Sequence, residues 1–85
     1  MKSRQKKRVK IFDEKGLAAF AKQLKKIRKA KDISQEELSD KSGIALSQIA
    51  KIETTKGNPT MSTIFTLIRA LDVTPPEMFD FKLPK

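Results

Sequence analysis

The chain has 85 residues and a formal net charge of +9, with no cysteine, histidine, tryptophan or tyrosine. That length holds one hydrophobic core and so one domain. The missing cysteine and histidine remove disulfides, the usual metal ligands and the commonest general base, so neither an enzyme nor a metal or other cofactor is expected. The basic balance points to a polyanionic partner, either a nucleic acid or an acidic membrane surface.

Residues 1–10 carry Lys2, Arg4, Lys6, Lys7, Arg8 and Lys10 and no acid, which is six of the nine excess positive charges. Dense like charge with little apolar content predicts a segment that is disordered when free. It reads either as a solubilising tail or as an arm that follows a nucleic-acid backbone. The expected organisation is a basic arm over 1–12, a helical domain over 13–81 and a short tail over 82–85. The basic start leads into no apolar stretch long enough for a signal peptide or a membrane span. The cytoplasm is therefore the expected compartment.

Asp13 is placed to cap a first helix in which Leu17, Phe20, Leu24 and Ile27 share one face and Lys22, Lys25, Lys26 and Lys29 the other. The pattern stops near Asp32. A basic amphipathic helix of this kind also suits a membrane surface, but its apolar side is needed for the core. Ser34 with Glu37 three residues on forms a capping box for a second helix of about two turns, and Gly43 suits a left-handed position at its end. A third helix follows in "GIALSQIAKIE", residues 43–53, with Ile49 and Ile52 inward. The "KGNP" cluster ends it. Thr60 or Ser62 caps a fourth helix with Ile64, Leu67, Ile68 and Leu71 inward. Pro75 fits the first turn of a short fifth helix, and Phe79 and Phe81 are placed to fold back onto the core. The predicted fold class is all-α, five short helices with no strand.

Two short helices joined by a glycine turn form the helix-turn-helix unit, whose second helix enters the DNA major groove. With Ile49 and Ile52 inward, Leu46, Ser47, Ala50, Lys51 and Thr54 fall on the outer face. Small residues there let a helix enter a groove about 12 Å wide. Ser47 and Lys51 can donate to base edges, and Leu46 and Ala50 can meet a thymine methyl. A modest rotation of the helix would instead bury Leu46, and the residues alone leave both readings open.

"LKKIRKAKDISQEELSDKSGIALSQIAKIE", followed by "NPTMSTIFTLIRALDVTPPEMF", resembles the lambda-repressor-like, or Xre/Cro-type, helix-turn-helix family from about Leu17 to Phe79. The resemblance rests on the arginine of helix one, "SQEEL", the glycine turn, "I..IE", "NP" and "AL.V" in combination. It implies a compact five-helix domain that binds double-stranded DNA sequence-specifically, usually as a homodimer and usually in transcriptional regulation. It implies Leu46, Ser47, Ala50 and Lys51 as base readers. Gln35, Thr54, Lys56, Asn58, Thr60 and Met61 become phosphate contacts, and Arg28 with Glu53 a structural ion pair. Pairing of two copies is expected through Val73, Pro75, Pro76 and Phe79. No small-molecule ligand is implied.

Three departures from the family pattern bear on these roles. Ala45 stands where a serine or threonine commonly caps helix three. Thr54 and Thr55 follow Glu53, and the glycine comes later, at Gly57, so helix three is expected to run about half a turn longer. Leu46 replaces a polar reader, so Gln35 is expected to lack a hydrogen-bonding partner there, and binding to lean on phosphates and DNA shape. Two alternatives to a lone repressor or autoregulator remain. One is the antitoxin half of a two-protein module, with Met78, Phe79, Phe81 and Leu83 turned to a protein partner. The other is a protein–protein adaptor on the same fold.

Overall fold

The computed structural model describes residues 11–85; the basic segment 1–10, with the disorder expected of it, lies outside the described residues. Five helices follow in order: α1 (Glu14–Ala30), α2 (Gln35–Ser42), α3 (Leu46–Glu53), α4 (Met61–Ala70) and α5 (Pro75–Met78), with no strand among the described residues. Each N-terminus but one has a side-chain cap for its unpaired N–H groups. Asp13 accepts from Gly16, Ser34 and Thr74 form capping boxes with Glu37 and Glu77, and Thr60, rather than Ser62, caps α4. Ala45 leaves α3 without a side-chain cap, as its methyl group dictates.

The ends of α1, α3 and α4 share one device. Asp32, Thr55 and Asp72 take left-handed backbone angles, with φ of 57°, 64° and 55°. Beyond each, a backbone N–H reaches back to the helix: Ile33 to Arg28, Lys56 to Lys51 and Val73 to Ile68. This is the Schellman pattern, which satisfies carbonyls that the helix leaves free. It also corrects the expected length of α3. The helix ends at Glu53, and the chain turns on Thr55 without waiting for Gly57. The N–H groups of Lys56 and Gly57 both return to the Lys51 carbonyl, which closes the helix early.

The core is formed by Phe20 and Leu24 of α1, Leu38 of α2, Ile49 and Ile52 of α3, Leu67 and Ile68 of α4, then Leu71 and Met78. The apolar stripe of α1 is thus spent inside the fold, which leaves no apolar face on that helix for a membrane surface. Helix α1 packs on α3 and α5, and α2 packs between α3 and α4. Phe79 lies over Phe20 with ring centroids 5.9 Å apart, and Phe81 lies 6.4 Å from Phe79. No helix among the described residues is long and apolar enough to cross a membrane.

Candidate nucleic-acid interface

Besides the apolar core, a buried polar network ties the α2–α3 unit to α1. Arg28 is only 8% exposed and Glu53 4%. The guanidinium grips the carboxylate with two hydrogen bonds, Nε to Oε2 at 2.7 Å and Nη2 to Oε1 at 2.9 Å, and its Nη1 donates to the Ile33 carbonyl at 2.8 Å. Gln35 Nε2 donates to Glu53 Oε1 at 3.0 Å. Burial alone would raise the Glu53 carboxyl, but the bonds from Arg28 and Gln35 outweigh it and hold the group below its ordinary value. The hydrogen bond to Glu53 raises the Arg28 guanidinium in turn. Leu46 offers Gln35 no side-chain hydrogen bond, as expected, but the amide is not left unpaired. Its partner is the carboxylate at the far end of α3, which orients the amide at the first turn of α2.

Two serines brace the turn between α2 and α3. Ser39 Oγ donates to the Ile44 carbonyl at 2.6 Å, and Ser42 Oγ accepts from the Ile44 N–H at 3.1 Å. Gly43, with φ 78°, makes the left-handed step between the helices. Sequence reasoning found the glycine and missed the serines, because an isolated Ser-x-x-Ser carries no turn signal until Ile44 is folded back against it.

On α3, Ile49 and Ile52 are buried, while Leu46, Ser47, Lys51 and Thr54 are exposed and Ala50 is half-buried. Leu46 is 40% exposed, so the rotation that would bury it does not occur. Gln48 is also exposed on this helix, flanks Ser47, and was not among the expected readers. An amide can bond both the N6 and N7 positions of adenine, which makes Gln48 a candidate that the inward isoleucines alone do not exclude.

The loop after α3 brings the other expected contacts together near the start of α4. Lys56 and Thr60 are exposed, and Met61, the first residue of α4, is 54% exposed. The Thr54 hydroxyl donates back to the Ala50 carbonyl at 2.8 Å. Asn58 Nδ2 donates to the Ile11 carbonyl at 3.2 Å, bridging 47 residues of sequence. The expected pairing residues lie around α5: Pro75, Pro76 and Phe79 are exposed and Val73 is half-buried. Met78 is fully buried in the core, so it does not offer itself to a protein partner as the antitoxin reading supposed. Phe65 on α4 is 45% exposed, an apolar group that the helical pattern gave no reason to single out.

A sequence profile of the helix-turn-helix family HTH_3 matches residues 24–78, which contain the whole network, the braced turn and the exposed face of α3. The chain belongs to the helix-turn-helix family of DNA-binding transcriptional regulators. Among curated proteins no sequence matches. Solved structures of this helix-turn-helix type do. The restriction-modification controller protein C.AhdI from Aeromonas hydrophila is 36% identical, with a TM-score of 0.72 over 74% of this chain and 96% of that one. The controller protein C.Esp1396I, solved as a tetramer with its natural 35 base-pair operator, is 30% identical, with a TM-score of 0.72 over 75% of this chain and 84% of that one. A helix-turn-helix transcriptional regulator from Vibrio cholerae shares the fold at 22% identity and a TM-score of 0.76, over 79% of this chain and 38% of that one.

Proposed function

We propose that this helix-turn-helix protein is a cytoplasmic, homodimeric operator-binding regulator that represses transcription, its own included. The observation that carries this reading is the two-sidedness of α3. Its inner face is locked by Ile49, Ile52 and the Glu53 carboxylate, while Leu46, Ser47 and Lys51 stand outside without an internal role. Ser47 and Lys51 donate to base edges and Leu46 meets a thymine methyl, with Ala50 small enough to let the helix approach. Gln35 keeps one amide N–H beyond the one given to Glu53, and directs it to a phosphate. Lys56, Thr60 and the free N–H groups at the start of α4, Met61 first, take phosphates on the far side of the groove. Two copies joined around Val73, Pro75, Pro76 and Phe79 place their α3 helices in successive major grooves about 34 Å apart. The likeness to controller proteins, one of them solved on its operator, supports the same mode of action here.

Selection from a random duplex pool at about 0.15 M salt, near the physiological ionic strength, tests the reading. It should return an inverted repeat with half-sites about one helical turn apart. Retention of featureless DNA only would remove base reading by α3, and retention of none would favour the adaptor alternative.

A further inference from the structure

We infer that Ser39 and Ser42, two hydroxyls of α2 spent inside the protein, position the start of α3 and so set which bases Leu46 and Ser47 meet. The inference deepens the operator-binding reading above and rests on it.

Helix α3 is fastened differently at its two ends. At the far end Glu53 is buried and receives Arg28 and Gln35. At the near end no side chain caps the first N–H groups, and a helix start without a cap is weakly constrained by its own bonds. The fastening there lies upstream, on Ile44. Its side chain packs against the core, which fixes its place, and the two serines fix its orientation. Ser39 Oγ donates to the Ile44 carbonyl at 2.6 Å, and Ser42 Oγ accepts from the Ile44 N–H at 3.1 Å. Each peptide group is planar, so these bonds hold the planes on both sides of Ile44. Only the φ and ψ of Ala45 then separate a clamped plane from Leu46, the first residue of α3. Without the clamp, α3 is held by its buried side chains and by Glu53, so its start moves most. Helices rise about 1.5 Å per residue, so a swing of about 10° about Glu53 carries Leu46 by about 2 Å. A hydrogen bond tolerates only about 0.5 Å, which puts the base facing Ser47 out of reach. Lys51, close to Glu53 on the same helix, keeps its place.

Five full-length proteins test this: the unaltered chain, Ser39→Ala, Ser42→Ala, Ala45→Ser, and Ser39→Ala combined with Ala45→Ser. Circular dichroism first fixes a temperature at which each is folded. Duplex selection and affinity are measured there, so a loss of stability alone moves neither readout. The bases facing Leu46 and Lys51 are identified by repeating the selection with Leu46→Gln and Lys51→Ala. Ser39→Ala and Ser42→Ala should each reduce discrimination at the base facing Leu46 by about fivefold or more and leave it unchanged at the base facing Lys51. Ser42→Ala carries the test by itself if Ser39→Ala does not fold. Ala45→Ser supplies the missing cap, and should restore discrimination to Ser39→Ala while changing little in the unaltered chain. Undiminished discrimination in the folded Ser39→Ala and Ser42→Ala proteins overturns the inference, as does a loss that is equal at both bases. So does a gain from Ala45→Ser that is the same in both backgrounds, which would mark a separate contact with DNA. An unaltered chain that selects no sequence, or a motif that Leu46→Gln and Lys51→Ala leave unchanged, overturns instead the base reading on which the inference stands.

Discussion

Glu53 ties three helices together, since its carboxylate receives Arg28 of α1 and Gln35 of α2 while sitting at the end of α3. Both partners of the ion pair are buried, so removing one strands a charge without its counter-ion. Arg28→Ala is expected to cost about 3–5 kcal/mol in urea unfolding, a large share of the stability of a domain this small. The same carboxyl sets a pH dependence. Its folded value lies below the ordinary 4.5, so the unfolded chain binds the proton first. The resulting stability is complete above about pH 4.5 and is lost as the pH falls through the lower, folded value. Glu77, held down by the Thr74 N–H and hydroxyl, acts in the same sense. Denaturant titrations between pH 3 and 6 should therefore show stability rising with pH, with a shallower rise in Glu53→Gln. On the reading face, Leu46→Gln should move the preferred base at one position of each half-site from thymine towards adenine, because an amide replaces a methyl contact with a bidentate one. Repeating the duplex selection with this variant checks it, and an unchanged motif would take Leu46 out of the base-reading set.

At the scale of the helices, the weakest terminus is the start of α3, the helix proposed to read DNA. Ala45 has φ −58° and ψ 140°, an extended geometry that a capping residue can adopt, but its methyl group leaves the first N–H groups of α3 uncapped. Ala45→Ser is expected to raise stability by about 1 kcal/mol, read as a higher midpoint in thermal unfolding. The other end of α3 stores strain. Thr55 is β-branched and sits at φ 64°, a region that costs an L-residue about 1–2 kcal/mol. Thr55→Gly should recover part of that cost, and a midpoint at or below that of the parent chain would show that the threonine side chain contributes contacts worth more than the strain. Both ends of α3 thus fall short of the stability the same backbone permits, and both adjoin the surface proposed to meet DNA.

At the scale of the whole molecule, charge and shape divide the work. The core uses one face of every long helix, and what remains outside includes a lysine-rich α1, the exposed side of α3, the exposed Phe65 of α4 and the exposed apolar residues Pro75, Pro76 and Phe79 around α5. Pro76 is exposed and is not part of the core, so Pro76→Asp probes pairing without opening the interior. Sedimentation equilibrium should show the proposed dimer weakened by at least about 1.4 kcal/mol, a factor of ten, with unfolding unchanged. A dimer that pairs as before would move the interface away from α5, with Phe65 and Met61 as the next exposed apolar residues to test.

The elements were legible in the sequence because their signals are local. Asp13 and Ser34 with their helices' first N–H groups, Pro75 in the first turn of α5, the three- and four-residue apolar spacing of α1 and α4, and Gly43 at a left-handed turn all act within a few residues of chain. The two inward isoleucines of α3 left its rotation open, and the 40% exposure of Leu46 settles it. What could not be read were one local closure and several choices made between distant segments. Whether α3 closes at Glu53 or runs about half a turn on depends on the Lys51 carbonyl capturing two later N–H groups. Gln35 gains its partner only when α1 holds Glu53 in place, and Met78 passes from a candidate surface residue to a core residue when α5 folds onto α1. The contact between Asn58 and Ile11 spans 47 residues, and no spacing rule reaches that far. Composition and periodicity alone determined a small basic helical domain whose third helix turns two isoleucines inward. Tertiary packing decided which polar groups were already satisfied inside it, because a hydrogen bond between distant residues exists only once the apolar core has brought them together.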